Sequence, residues 1–109
     1  MDDAIQVLTT TDNRPLAVTM AQDLVGSRLA ACVQISGPVT SVYRWQGRME
    51  TAEEWTCTIK TVRRLYPAVE SRIRQLHSYE EPEIVVLDLI AGSPTYLAWL
   101  REQVTVADE

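Results

Sequence analysis

Histidine and cysteine side chains, which can ligate a soft metal or act as nucleophiles, are few in this chain: one histidine, His77, and two cysteines, Cys32 and Cys57. They are too few for a four-ligand zinc site of nitrogen and sulfur within one chain. A thiolate combined with an imidazole suits Cu(I) better than a hard cation, so Cys32 and His77 are the candidate metal ligands. The competing interpretations are a buried cysteine that behaves as a small hydrophobe and a histidine that stabilises a helix C-terminus.

The two cysteines are predicted to lie apart, on a long hairpin centred on Gln46 and Gly47. Simple pairing about that turn places Cys32 opposite Thr61 rather than opposite Cys57. At about 3.3 Å per residue, the two thiols are then more than ~10 Å apart along the strand direction. A disulfide, or a metal shared by both thiols within one chain, is therefore not expected, although neighbouring chains of an oligomer could bring such ligands together.

A second group of candidates is the loop that follows His77, which carries carboxylates at Glu80, Glu81 and Glu83. Carboxylates beside an imidazole resemble an acid–base group, and Pro82 could hold the loop stiff enough for such a geometry. The alternative is a solvated loop in which the proline only fixes the entry into the next strand. No Ser-His-Asp or Cys-His-Asp arrangement and no glycine-rich phosphate loop is recognisable, so no enzymatic activity is predicted.

Lys60 lies in a β-rich stretch, on the face opposite Cys57. We expect it to find a carboxylate or a carbonyl, pairing with Glu50, Glu54 or a neighbouring subunit, because burying its charge alone is costly. It could instead bind an anion in a cleft between subunits. The candidate residues of such a ligand-binding cleft are Tyr43, Trp45, Lys60, Tyr79 and Glu83.

Composition excludes several classes of partner. With 10 basic and 15 acidic residues the net charge is -5, which argues against a general nucleic-acid or anionic-membrane surface. No apolar run approaches the ~20 residues that span a bilayer. The acidic N-terminal residues lack the basic region of a signal peptide. Two cysteines are too few for the disulfide framework of a secreted protein. A cytoplasmic protein is therefore expected, as one domain over residues 1–109 with a core from about residue 4 to residue 104.

Hydrophobic periodicity predicts the elements that must position these groups, in the order β-α-β-β-α-β with one further helix. The predicted strands are 4–9, 31–46 with a bend or bulge at Ser36-Gly37-Pro38, 55–62 after a bulged polar patch at 51–54, and Ile84–Ile90. The predicted helices are 13–25, one opening at Tyr66-Pro67 and one beginning at Pro94. The last strand is the most hydrophobic, which predicts a central strand or one covered on both faces.

This order predicts the α+β, ferredoxin-like (split βαβ) sandwich, with two helices on one face of a four-stranded antiparallel sheet. The other face must be covered by solvent, by the final helix or by another copy of the chain. The long hairpin places aromatic side chains there, which are poor choices for permanent contact with water, so oligomerisation is favoured. The predicted interface anchors are Tyr43, Trp45, Trp55 and Trp99.

Seven short runs of residues occur in an order and spacing that, taken together, are specific. They are Ala31-Cys32-Val33, Ser41-Val42-Tyr43-Arg44-Trp45-Gln46-Gly47, Ile59-Lys60-Thr61, His77, Tyr79-Glu80, Pro82-Glu83-Ile84, and Tyr96-Leu97 with Trp99-Leu100. The chain they define, about residues 4 to 104, resembles the CutA family of divalent-cation tolerance proteins.

The resemblance implies a tight homotrimer, similar in architecture to the PII signalling proteins, whose hairpins pair across subunits. It implies a role in tolerance of copper and other divalent cations through metal binding. The alternative is a PII-like module that binds a small molecule or a protein partner in clefts between subunits. Three positions depart from the family pattern, Gln34, Ser78 and Thr9; because some members have a cysteine at the position of Thr9, that departure removes a soft ligand and counts against a transferred copper site.

Overall fold

The structure is a computed structural model that describes residues 3–104. Its elements are β1 (Ala4–Thr11), α1 (Arg14–Gly26), β2 (Cys32–Trp45), β3 (Arg48–Val62), a single 3-10 turn (Arg63–Leu65), α2 (Tyr66–Leu76), β4 (Ile84–Asp88) and α3 (Pro94–Gln103). The four strands form one antiparallel sheet in the order β2-β3-β1-β4. The predicted α+β class and the βαββαβ order with a further C-terminal helix are confirmed.

Each helix begins where the sequence supplies a cap or a proline. The Asn13 side chain accepts a hydrogen bond from the Leu16 amide at 3.0 Å, which satisfies one of the free N–H groups at the start of α1. The Ser93 hydroxyl accepts from the Tyr96 amide at 3.4 Å at the start of α3. α2 has no side-chain cap, but Pro67 lies in its first turn, where a proline costs no hydrogen bond. In residues 3–104 no helix is long and apolar enough to cross a membrane.

The hairpin of β2 and β3 pairs continuously except at one position. It turns at Gln46 and Gly47, both with positive φ, and its register shifts once, between Ser36 and Val39. The predicted interruption of β2 is thus confirmed as a bulge. The predicted bulge at residues 51–54 is wrong: β3 begins at Arg48, and 51–54 pair regularly with β2. Pro38 supplies no ladder donor, so the extra residue is accommodated in β2.

One face of the sheet packs against α1 and α2. Its core residues are Ile5, Val7, Ala17, Met20, Leu24, Cys57, Ile59, Val69 and Ile73. Because side chains alternate along a strand, the residues between these core positions in β1 and β3 point to the opposite side, which we call the open face. The strand register adds to it the residues of β2 that pair with them, among them Cys32 opposite Lys60 and Trp45 opposite Arg48.

The final helix covers only one end of the open face. There Ala4, Val62, Leu100 and Val104 form a second, smaller cluster of buried side chains. The loop between α2 and β4 contacts the open face at Glu54, whereas Tyr43 and Trp45 of β2 are exposed at 43% and 45%.

β4 differs from its predicted position. It ends at Asp88 rather than Ile90, and it is an edge strand that pairs only with β1. Val85 and Leu87 are 44% and 50% exposed, so the prediction of a central or doubly covered strand is wrong within this chain. The reason is topological, because the split βαβ order itself places the last strand at the edge of the sheet.

Candidate functional site

A cleft lies between the hairpin and the loop that joins α2 to β4. Its volume is about 760 Å³, and its lining residues are Thr10, Ser41, Val42, Tyr43, Trp45, Glu54, Tyr79, Glu80, Glu81, Pro82 and Glu83. The hairpin and the loop form its two walls. β1 ends opposite Trp55, whereas β3 extends beyond that point toward the hairpin turn. The α2–β4 loop approaches β3 in the space beyond the end of β1, and its contact with Glu54 closes one side of the cleft.

His77 ties that loop to β1. Its backbone amide donates to the Ile73 carbonyl at 2.8 Å and so ends α2. Ring nitrogen Nε2 lies 2.7 Å from the Thr10 carbonyl oxygen, and Nδ1 accepts the Tyr79 amide hydrogen at 3.0 Å. Both contacts are made by the neutral tautomer that carries its hydrogen on Nε2. Since the ring is only 9% exposed and both nitrogens are engaged, a metal could bind His77 only by displacing one of these partners.

Tyr79 connects the same loop to β3. Its ring lies against the His77 ring, with centroids 4.6 Å apart, and its hydroxyl donates to Glu54 Oε2 at 2.7 Å. Burial, followed by the Glu54 carboxylate, raises the pKa of the Tyr79 hydroxyl well above its usual value. The phenol is therefore a hydrogen-bond donor at physiological pH and not a base.

Glu54 is the least exposed acidic side chain described in the structure, at 6%. Tyr79 is its hydrogen-bond partner, and none of the ion pairs within residues 3–104 involves it. Three further carboxylates line the cleft, at Glu80, Glu81 and Glu83, whereas no lysine or arginine does. The arrangement is suited to binding a cation, and its aromatic wall of Tyr43 and Trp45 is suited to an organic one.

Cys32 and Lys60 lie at the other end of the open face. They are paired across β2 and β3, and the Cys32 side chain is partly exposed. Lys60 Nζ donates to Gln34 Oε1 at 3.2 Å and lies 5.9 Å from the centroid of the Tyr96 ring. Lys60 therefore pairs with a carbonyl oxygen, one of the two kinds of acceptor expected for it, and not with the carboxylate of Glu50 or Glu54.

The structure does not bring Cys32 and His77 together within one chain. Thr10, which the imidazole contacts, pairs with Thr56 of β3, while Cys32 pairs with Lys60. Four residues of strand correspond to about 13 Å. Within residues 3–104, no group of three histidine, cysteine, aspartate or glutamate side chains is placed to hold a metal ion.

Cys57 and Thr9 are neighbours inside the core. They pair across β1 and β3 and are almost fully buried. Burial raises the pKa of the Cys57 thiol to about 11, which makes it a poor nucleophile and a poor ligand at neutral pH. The Thr9 hydroxyl oxygen has no hydrogen-bond partner in the described part of the chain, and it faces the helices rather than the cleft.

Four of the five predicted cleft residues line one cavity: Tyr43, Trp45, Tyr79 and Glu83. Lys60 lies outside it. The sequence reasoning considered Glu54 only as a partner of Lys60 and missed its place in the cleft. The signal that could have found it is strand alternation, because Glu54 shares its face with the residues that pair with Tyr43 and Trp45.

The four aromatic residues predicted to lie in an interface occupy three different places in the chain. Tyr43 and Trp45 are on the open face, and Trp99 is exposed on α3, beside Tyr96 at 5.6 Å between ring centroids. Trp55 is half-buried on the opposite face of β3 and packs against the bulge of β2 at Gly37.

Solved structures share this fold over nearly the whole chain. The Cut A1 divalent cation tolerance protein from Thermus thermophilus superposes with a TM-score of 0.91 at 41% identity, covering 94% of this chain and 99% of that chain. CutA1 from Oryza sativa gives a TM-score of 0.92 at 32% identity, covering 95% of each. The chain thus has the fold of the CutA1 structures.

Sequence comparison agrees with the structural one. The divalent-cation tolerance protein CutA of T. thermophilus is 44% identical over 96 residues, 88% of this chain and 93% of its own length. The mouse protein CutA is 38% identical over 93 residues, 85% of this chain but only 52% of its own length. Residues 5–103 match the family described as CutA1 divalent ion tolerance protein, and the chain belongs to this family, as the resemblance predicted.

Proposed function

We propose that this chain acts as a cytoplasmic homotrimer in divalent-cation tolerance, by binding copper or another divalent cation. The family to which the chain belongs is named for such tolerance. The main support for a trimer is the uncovered part of the open face. Large apolar side chains remain exposed there in the single chain: Val39, Tyr43, Trp45, Val85 and Leu87. Several large apolar side chains exposed on one face of a sheet are typical of an interaction site.

Both edges of the sheet support the same proposal. β2 and β4 are edge strands, and long unpaired edges are an aggregation hazard unless another chain pairs with them. The arms of the hairpin are 14 and 15 residues long, Cys32–Trp45 and Arg48–Val62, and the hairpin extends past the end of β1. In a PII-like trimer its projecting part would pair with a neighbouring subunit and partly cover Tyr43 and Trp45.

Sedimentation at micromolar concentration tests the assembly, with three chains as the expected result. Trp45→Glu should destabilise the oligomer by about 2–4 kcal/mol, the range of interface hot spots. Met49→Glu is the matched control, because Met49 lies near the same turn but on the opposite face and is 75% exposed. A stable folded monomer of the wild type, or equal effects of both substitutions, would contradict the proposal.

Cys32 and His77 are the proposed metal ligands. Cys32 lies on the open face, so that trimer formation could supply it with ligands from a neighbouring chain. A Cu(I) titration of the trimer should show weaker binding in Cys32→Ser and in His77→Ala than in the wild type. Cys57→Ala is the matched control, because that thiol is buried in the core. Identical weak binding by all four proteins would refute the assignment.

A second candidate function is a PII-like module that binds a small molecule or a protein partner at the subunit boundary. The observation that favours it is the cleft of about 760 Å³, a size typical of small-molecule sites. Four of the five residues predicted for such a site line it. Since Tyr43 and Trp45 belong both to the cleft and to the proposed interface, a neighbouring chain would complete one of its walls.

A further inference from the structure

We propose that the cleft binds a linear aliphatic polyamine, with one ammonium group at Glu54 and another at the rim carboxylates. The inference rests on the cleft function given above as the second candidate, and it does not depend on metal ligation by Cys32 or His77.

Charge is the first support. The lining carries four glutamates and no basic side chain. Arg74 reaches Glu81 at 3.7 Å, but Glu54, Glu80 and Glu83 have no ion pair within residues 3–104. An unbalanced group of carboxylates around one cavity attracts cations and disfavours anionic ligands.

The state of Glu54 is the second, independent support. Glutamate is almost never fully buried unless it is paired, yet Glu54 is 6% exposed and its partner is the neutral hydroxyl of Tyr79. That hydroxyl occupies Oε2. Oε1 has no hydrogen bond to the described residues. Among those residues, the side-chain oxygen that is both buried and without a partner is the Thr9 hydroxyl. The unpartnered Oε1 of Glu54 is therefore not enclosed. Oε1 is therefore available to a cationic donor from the cleft.

The lack of a convergent ligand group among the described residues argues for an extended cation rather than a bare metal ion. Divalent metals require oxygen ligands that converge to about 2.0–2.6 Å from one point. Within residues 3–104 no three acidic, histidine or cysteine groups are so arranged. Carboxylates distributed around a cavity of about 760 Å³ match charges that are separated along a chain instead.

The aromatic wall supports ammonium groups joined by methylene groups. Tyr43 and Trp45 line the same cleft as the buried Glu54 and the rim glutamates. Their rings offer both apolar contact to an aliphatic chain and cation–π attraction to an ammonium group. Each terminal ammonium carries three hydrogen-bond donors, which suits the free oxygen of Glu54.

Calorimetric titration of the intact protein with spermidine, a linear triamine, tests the proposal. Wild type should bind it, and Glu54→Gln should weaken binding at least tenfold because glutamine keeps the acceptor for Tyr79 but loses the charge. Glu53→Gln is the matched control: it removes the same charge from the adjacent residue, which is exposed on the opposite face and does not line the cleft. We expect its affinity to stay within about twofold of wild type.

Three results would overturn the proposal. They are no binding by wild type, equal weakening by Glu53→Gln and Glu54→Gln, and Mg²⁺ alone binding with the same affinity and the same dependence on Glu54. If Glu54→Gln does not fold, Glu83→Gln at the exposed rim takes its place, with a loss of about threefold expected and an unchanged affinity counting against the site. Sedimentation and copper titration of the same samples distinguish the proposal of a copper-binding trimer from the proposal of a polyamine-binding cleft. A trimer that binds copper but not spermidine contradicts only the polyamine assignment.

Discussion

Replacing Tyr79 by phenylalanine tests whether the cleft is held together by a hydrogen bond to a buried carboxylate. The substitution keeps the ring that lies 4.6 Å from the His77 ring, so packing against the imidazole is preserved. It removes the hydroxyl that donates to Glu54 Oε2 at 2.7 Å. The buried carboxylate is then left without its donor.

The expected cost follows from that geometry. A hydrogen bond to a charged group contributes about 1.5–3 kcal/mol. Glu54 is 6% exposed, so water cannot fully replace the lost donor, although Oε1 still reaches the cleft. We therefore expect the free energy of unfolding to fall by about 2 kcal/mol. With a urea dependence of about 1–3 kcal/mol per molar, the midpoint moves by about 1 M.

Urea unfolding at fixed protein concentration measures this change. Tyr66→Phe is the matched control, because the Tyr66 hydroxyl interacts with Glu70 on the exposed side of α2, and its removal should cost no more than about 0.5 kcal/mol. A double-mutant cycle of Tyr79→Phe with Glu54→Gln isolates the pair and should give an interaction energy above about 0.5 kcal/mol. Equal losses for the two tyrosines, or strict additivity in the cycle, would refute the reasoning.

The pH dependence of the Tyr79 contribution has a definite sign. Burial and the Glu54 carboxylate raise the pKa of the hydroxyl in the folded protein above its ordinary value of 10.0. The folded state therefore holds this proton more tightly than the unfolded state does. The stabilisation is complete below pH 10 and is lost as the pH rises through the folded-state pKa. The difference between wild type and Tyr79→Phe should thus persist at neutral pH and shrink in strong alkali.

Two further predictions concern the interior. Burial raises the pKa of the Cys57 thiol from 9.0 to about 11. At pH 8, iodoacetamide should therefore modify this thiol at least about 100-fold more slowly in the native protein than in the unfolded protein. Mass spectrometry measures both rates, and equal rates would contradict the burial of Cys57. Because the folded state keeps the proton, its contribution to stability is complete below pH 9.0 and is lost as the pH rises through about 11. Gly37→Ala should lower the free energy of unfolding by about 1–3 kcal/mol, since φ is +145° and an added Cβ would lie 2.9 Å from Trp55 Cδ1. Gly26→Ala, where a Cβ meets open space, should change it by less than ~1 kcal/mol; equal urea midpoints for both variants would show that the bulge tolerates a side chain.

Local sequence chemistry was sufficient to predict most of the fold. Alternation predicts the arms of the hairpin, Gly47 its turn, and the donor-free Pro38 its bulge, because each of these signals acts within a few residues. The polar residues 51–54 predict an interruption that is absent, since composition alone does not distinguish a loop from a strand whose faces meet solvent. The apolar β4 is likewise predicted to be central, because hydrophobicity reports what a strand contacts and not where it lies in the sheet.

The cleft was less predictable because its contacts are long-range. His77 and Tyr79 are noticeable in the sequence, but their partners are Thr10 and Glu54, which are 67 and 25 residues away. No local pattern connects such pairs. The residues Tyr43, Trp45, Tyr79 and Glu83 were predicted for a cleft between subunits of a PII-like module. Within one chain they line the same cavity because the topology brings the hairpin and the α2–β4 loop to the same end of the sheet.

The proposed ligand binding and the proposed assembly would be linked, because the same side chains are assigned to both. Tyr43 and Trp45 line the cleft and are also the exposed apolar residues of the proposed interface. If trimer formation fixes these two rings, a ligand that contacts them binds the trimer more tightly than the monomer. Linkage then requires the ligand to stabilise the trimer by the same free energy, about 2.7 kcal/mol at a ligand concentration 100 times its dissociation constant when the monomer does not bind. On these two proposals a cationic ligand would control the assembly, although Glu54, to which its charge binds, belongs to a single chain.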